Sequence, residues 1–578
     1  MSIKSINLIN KIQFGNLRGD LFGGVTAAIV ALPLALAFGV ASGAGAISGL
    51  YGAIVVGFFA ALCGGTPAQV SGPTGPMTVV ITGVITTLVA RHPDTGLAMA
   101  FTVVMLGGLF QIFFGMMHLG QYITLIPYTV ISGFMSGIGV IIILLQLPPL
   151  LGYSGTGGVW GTLHQLPTYL GQPNPVALGL GLLSLGIVFV APPKLNRILP
   201  SPLLALVIGT LVSILLFGNA DIPRIGEIPT GLPRLRMPTF SLNELQSMLR
   251  YGLMLGALGA IDSLLTSLVA DSISRTQHDS DRELIGQGIG NCLAGLFGGL
   301  PGAGATMRTV VNVQAGGKTP LSGMIHAFIL LLVVLWAAPL TTVIPHAVLA
   351  GLLLKVGVDI IDWGFIKRVP RLSLKGTGLM YLVLFLTVFV DLITAVVVGV
   401  FIANMLTIKR LTDVQGDNVQ VITDPTQGTN LSLAEQEILT KAGGDILLFQ
   451  LGGPMSFGAA KMISRRMAIV KDYQVLVLDL SEVPTIGITA ALAVETMVQD
   501  AVKRDRHVWI VVTPGQVQQR IEKLQLHRFS NANRRTPGTI PGEPSAQIHQ
   551  VESRSQALRS SFALIHPEAA ACPTLIDS

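Results

Sequence analysis

The chain has 578 residues, 51% hydrophobic and 11% charged, with a mean hydropathy of +0.67 and a formal net charge of +6. A soluble domain carries about a quarter charged residues, so a wholly soluble protein is excluded. Residues 21–90 and 95–193 contain no Asp, Glu, Lys or Arg; roughly 20 apolar residues span a bilayer core, and the chain reads as a polytopic membrane protein.

In chain order, apolar runs between turn signals predict spans at 21–41, 46–62, 76–90, 97–116, 121–147, 175–191 and 201–218. A second set follows at 252–270, 284–298, 305–315, 320–338, 345–357, 376–390 and 391–408. Three of these, 76–90, 305–315 and 345–357, are too short to cross alone as ordinary helices. Residues 148–174 read as a long loop. Seven plus seven segments, an odd number per half, make the two halves repeats of inverted topology.

The loop charges set the orientation. With the N-terminus inside, fifteen basic residues fall on the inner side and five on the outer, as the positive-inside rule requires. Fourteen segments then put the C-terminus inside as well.

Residues 1–408 hold 19 basic and 13 acidic side chains, and the last 170 hold 17 of each. The tail is therefore a soluble domain, and the positive surplus belongs to the membrane part. It reports orientation, and no nucleic-acid partner is expected. In the tail, Ile446–Leu451, Val475–Leu480 and Val508–Val512 read as buried strands, with helices at 457–471, 488–503, 515–525 and 551–565. Residues 530–547 read as a polar loop. The expected domains are an N-terminal segment 1–20, a transporter domain 21–408, a linker 409–440, a soluble α/β domain 441–566 and a tail 567–578.

Two segments break the apolar pattern: Gly64–Val80 (GGTPAQVSGPTGPMTVV) and Gly298–Val311 (GGLPGAGATMRTVV). Backbone freed by such breaks cannot face lipid, so it is buried in protein or lines a wet cavity. A matched pair in the two halves points to a transporter binding site. The positions match, since Pro33 precedes Pro73 by 40 residues and Asp262 precedes Gly302 by 40. Inverted repeats bring the two resumed helices in from opposite sides, N-termini facing, and two positive helix ends favour an anion. Packing of close helices is the structural alternative for both breaks.

Asp262 is the one charged side chain of Tyr251–Ala270, and a carboxylate within a span is functional by default. Thr266 lies one turn on, on the same face. With the free carbonyls of Gly304 or Thr306 they make a set of hard oxygen ligands suited to a small cation. Two alternatives stay open: a protonatable Asp262 that couples transport to protons, and an internal salt bridge to Arg308. Arg308 adds positive charge beside the anion site. His118, His164, His326 and His346 stand singly at span ends or loops and read as structural. Cys63 and Cys292 read as small buried hydrophobes. No nucleophile–base pair or metal-ligand spacing assembles, so neither an enzyme nor a cofactor is expected.

The sequence resembles the SulP family of sulfate-permease-type anion transporters over about residues 18–526. The likeness rests on Ala31-Leu32-Pro33, Ser71–Met77 (SGPTGPM), Asp279–Asn291 (DSDRELIGQGIGN), Met307–Gly323 (MRTVVNVQAGGKTPLSG) and Asp391–Val400 (DLITAVVVGV). It implies a fourteen-span inverted-repeat fold with core and gate domains, and a homodimer in the cell (inner) membrane with both termini cytoplasmic. The tail resembles the STAS domain through Asp479–Ala491 (DLSEVPTIGITAA), which implies a cytoplasmic partner. Where many relatives carry Asp then Ser or Thr, this chain has Gly487 and Ile488.

Leu34 replaces the Gln common after the first-span proline, and Asp262 replaces a common Glu. Within the family these features are most similar to BicA-type sodium-dependent bicarbonate transporters. That likeness assigns sodium to Asp262, Thr266, Gly304 and Thr306. It assigns the anion to Thr74, Gly75, Ala305 and Thr306, with Arg308 alongside. Sodium-dependent bicarbonate symport is the expected function; the alternative is a proton-coupled sulfate or dicarboxylate transporter of the same fold.

Overall fold

The computed structural model describes residues 9–10, 14–153, 158–192, 200–218, 220–226, 235–423, 431–468, 470, 472–526 and 547–567. The chain forms two compact units, Met1–Ala403 and Asn404–Ser578.

The first unit is helical. Its helices are α1 (Leu17–Ala41), α2 (Ala46–Cys63), α3 (Gly75–Arg91), α4 (Gly96–Met116), α5 (Tyr128–Leu150), α6 (Gly158–Gly171), α7 (Pro175–Val190) and α8 (Ser201–Phe217). The second half supplies α9 (Leu245–Ser274), α10 (Ser280–Leu296), α11 (Thr306–Gln314), α12 (Pro320–Leu332), α13 (Ala338–Thr341), α14 (His346–Ile360), α15 (Trp363–Leu372), α16 (Leu374–Phe389) and the start of α17 (Leu392–Asp417), whose residues from Asn404 on belong to the second unit. A helix thus stands at each of the fourteen predicted segments. Six, among them α1, α2, α4, α5 and α9, are long and apolar enough to cross a bilayer unaided, and α3, α8 and α16 are shorter apolar helices.

These helices pack in two groups. One joins α1, α2, α4, α9, α10 and α12; the other joins α5, α7, α8, α14 and α16. Small residues set the distances in the first. A Cβ on Gly49 of α2 would stand 1.9 Å from the Ala35 carbonyl of α1, and one on Gly108 of α4 would stand 2.5 Å from Gly288 O of α10. Such backbone approach drives association where lipid offers no hydrophobic gain.

Two predictions need correction here. The loop read over 148–174 contains the end of α5 and all of α6, which meets α7 at 112°. Tyr128–Leu150 begins later than the span drawn from 121, because Gly120–Leu125 is a 3-10 turn and Pro127 sets the helix start.

The second unit carries a five-stranded sheet in the order β3 (Val419–Ile422), β4 (Ile446–Gly452), β5 (Val475–Glu482), β6 (His507–Val511) and β7 (Ile548–Val551). β3 runs antiparallel to β4, and the other pairs are parallel. Helices α18 (Leu433–Lys441), α19 (Phe457–Met467), α20 (Ile488–Lys503), α21 (Gln516–Lys523) and α22 (Arg554–Ile565) complete it. Buried residues on both faces of the sheet form two apolar clusters, one under α19 and α20 and one under α18 and α22, as a parallel sheet requires. The segment 409–440, read as a linker, supplies the end of α17, β3 and most of α18. The polar loop read at 530–547 lies outside the described residues except for Gln547.

Candidate functional site

The two breaks meet. Ser71–Gly72 (β1) pairs antiparallel with Ala303–Gly304 (β2), Ser71 opposite Gly304 and Gly72 opposite Ala303. Ala305 N–H continues the contact to Val70 O at 2.9 Å. This two-stranded sheet satisfies backbone that the broken helices leave free, and all four of its residues are buried. From it α3 starts behind Thr74 and α11 behind Ala305, and no side chain caps either start. The N–H groups of both first turns are therefore left for another acceptor.

One helix fixes this arrangement. On α10, Glu283, Gln287 and Asn291 recur every four residues along one face. Buried Glu283 accepts from Gly65 N and Thr66 N at 2.9 Å each, from Gln69 Nε2 at 2.7 Å and from Gln287 Nε2 at 2.8 Å. Gln287 also donates to Ser71 Oγ at 2.6 Å, and Asn291 holds Gly302 through both its N–H and its carbonyl. Sequence reasoning missed these three. Their signal was a polar ladder at helical spacing inside the family motif Asp279–Asn291.

Asp262 is 6% exposed on α9. Its Oδ2 accepts the Thr74 hydroxyl at 2.7 Å, so the side chain that could have capped α3 instead ties it to the carboxylate. One turn on, Thr266 Oγ1 donates to Gly304 O at 2.9 Å and lies 2.8 Å from Thr306 Oγ1. Ser263 Oγ accepts Gly304 N–H at 3.1 Å and holds that carbonyl in place. The fold thus joins Thr266, Gly304 and Thr306 by hydrogen bonds, with Asp262 one turn back on α9 and tied to Thr74. Gly75 and Ala305 stand at the two helix starts beside them.

Arg308 is buried at 2% exposure and donates through Nη2 to Pro73 O, while Nη1 has no partner among the described residues. No ion pair joins it to Asp262 among the described residues. Asp262 and Arg308 instead hydrogen-bond adjacent residues of the first break, Thr74 and Pro73. His326, read at a span end, instead lies fully buried inside α12 with both ring nitrogens unpartnered.

A sulfate permease family model matches residues 17–383, and a STAS domain model matches residues 437–537. The chain belongs to the sulfate permease family. It is 57% identical over 525 residues to the bicarbonate transporter BicA of Synechocystis, covering 91% of this chain and 93% of that protein. The solved transmembrane domain of a cyanobacterial bicarbonate transporter BicA is 61% identical, with a TM-score of 0.64 over 67% of this chain and all of that one. The murine Solute Carrier 26 family member A9 anion transporter shares the fold at 19% identity and a TM-score of 0.79, with 97% and 96% of the two chains covered. The chain is therefore an integral membrane protein of a transporter family, with the helical fold of that family and a C-terminal STAS domain. For a sulfate permease family member the paired breaks lie inside the matched region, and the sheet of the second unit carries the STAS match.

Proposed function

We propose that this protein is a sodium-coupled bicarbonate symporter. The observation that carries the reading is the oxygen cluster at the paired breaks: Asp262 held by Thr74, beside Thr266, Gly304 O and Thr306. One carboxylate, two hydroxyls and a carbonyl suit a small hard cation. The adjoining starts of α3 and α11 at Thr74-Gly75 and Ala305-Thr306 offer N–H groups and helix dipoles to an anion, with the Arg308 charge alongside.

The roles divide accordingly. A cation at Asp262 neutralises the carboxylate that would otherwise repel the anion, so each ligand strengthens the other reciprocally. Thr74 links the two sites, since its hydroxyl touches Asp262 and its residue opens α3. The group containing α5 and α14 then moves against the group containing α1, α2, α9 and α10 to alternate access. The substrate is assigned from the relatives named above, both bicarbonate transporters. The reading includes fourteen spans, a homodimer in the cell (inner) membrane with cytoplasmic termini, and a cytoplasmic partner for the STAS domain.

The test is uptake of labelled bicarbonate into proteoliposomes with and without an inward sodium gradient. Uptake is expected to need the gradient, and Asp262→Asn is expected to abolish the sodium dependence. Equal uptake with and without sodium would remove the coupling. Uptake driven by a pH gradient and blocked by sulfate would replace it with proton-coupled sulfate or dicarboxylate transport.

A further inference from the structure

The helix α5 runs apolar from Gly137 to Leu150 except at Gln146. That residue is 6% exposed, and no hydrogen bond joins its side chain to another side chain or backbone group among the described residues. It lines a cavity of about 20 Å³ together with Gly75, Thr78 and Thr82 of α3 and Ile142 and Leu145 of its own helix. A volume of that size holds one water molecule. The Gln146 amide is not sealed in the helix packing and keeps its N–H groups open to this cavity.

The three α3 residues lie on one face at helical spacing and lead from the first-turn glycine toward Arg91. The Thr78 and Thr82 hydroxyls each donate back to a helix carbonyl, Thr74 O and Thr78 O at 2.7 Å, and keep acceptor capacity only. The one side-chain donor with free N–H groups in the cavity is Gln146. It belongs to the helix group opposite to the one that carries Asp262.

We propose that Gln146 is a gate-side hydrogen-bond donor for the transported oxyanion on the route between Gly75 and Thr82. This rests on the reading of Gly75 as part of the anion site. A neutral amide suits the role, because a route must hold an ion strongly enough to admit it and weakly enough to let it leave. A charged donor there would trap the anion. By the distribution of basic residues the Thr82 end faces outward, so this is the outer half of the path.

The experiment uses the full chain in proteoliposomes, with bicarbonate uptake measured against concentration at saturating sodium. Gln146→Leu is expected to raise the KM for the anion about tenfold, the loss of one hydrogen bond to a charge, with the sodium concentration for half-activation unchanged. Gln146→Asn, which keeps the donor, is expected to fall between. Gln146→Glu is expected to lose uptake as pH rises and its carboxyl ionises. An unchanged KM in Gln146→Leu overturns the proposal, as does a lower maximal rate at unchanged KM, the mark of a purely structural role. If Gln146→Leu does not fold, the pH profile of Gln146→Glu decides, and a profile equal to the unsubstituted protein's overturns the proposal. If the unsubstituted protein takes up no bicarbonate, the symport reading fails instead, and the same comparison with whichever anion is carried still decides the role of Gln146.

Discussion

Asp262 and Arg308 are both buried within one small region, yet each has its hydrogen bond on the facing break. An ion pair between them would cancel the field that two ligands of opposite sign require. The carboxylate is bonded to Thr74, and the guanidinium lies under β1, where a Cβ on Gly72 would stand 2.7 Å from Nη1. Two predictions belong at this scale. Thr266→Val keeps the shape and removes one oxygen. It is expected to raise the sodium requirement about tenfold or more, read as half-activation of uptake, with the anion KM at saturating sodium little changed. Gly304→Ala would place a Cβ 2.4 Å from Gln69 Nε2 and 2.7 Å from its Cδ. Gln69 is itself held by Glu283 and Ser267 and cannot swing aside without breaking both bonds. Gly304→Ala is expected to abolish uptake and lower the melting temperature of the detergent-solubilised protein.

At the scale of elements, α10 organises the site without any residue in the oxygen cluster. Glu283 gathers four donors from the first break and from its own helix. Glu283→Ala strands those donors in a buried place, at a cost of about 3 kcal/mol or more. It is expected to yield little folded protein, whereas Glu283→Gln, which retains one acceptor oxygen, is expected to fold with an intermediate melting temperature. Size-exclusion profiles and thermal melts of the purified variants check this. The breaks themselves were legible, since Gly and Pro in an apolar run have one physical meaning in a membrane. Asp262, Thr266, Gly304 and Thr306 were legible as types and spacing, and the fold joins Thr266 to Gly304 and Thr306 by hydrogen bonds. The bond from Thr74 to Asp262 spans 188 residues, and no local pattern encodes it. Helix α6 was missed because Pro167 and flanking glycines read as loop. Helix α15 was missed because Lys367, Arg368 and Arg371 give it a charged face, and only a helical period separates that from a basic loop.

At the scale of the whole molecule, the two units divide at Ala403/Asn404, earlier than the charge pattern placed the boundary. Composition marks where apolar residues end, whereas a unit is defined by what packs together. Thus β3 belongs to the sheet although its four residues are too few to signal a strand alone. Within the second unit one polar junction joins three elements. Glu435, third in α18, takes part in a capping box with Ser432 and accepts from Arg554 of α22 at 3.0 Å through each oxygen. Arg554 in turn faces Asp479 of β5 at 3.5 Å. Burial raises the carboxyl pKa of Glu435, but the hydrogen bonds from Arg554, Ser432 and Ser555 and the Arg554 charge outweigh it and leave it below the ordinary value of 4.5. A carboxyl depressed on folding contributes stability that is fully present above its unfolded pKa and is lost as pH falls through the folded one. Residues 404–578, produced alone, are therefore expected to fold and to lose part of their stability as pH drops below about 4.5. Denaturant melts at pH 7 and pH 3.5 read the difference. Arg554→Ala removes the partner of a largely buried carboxylate and is expected to cost about 3 kcal/mol at pH 7, with a smaller difference between the two pH values. An unchanged pH dependence in that variant would place the acid sensitivity of this unit in other carboxylates.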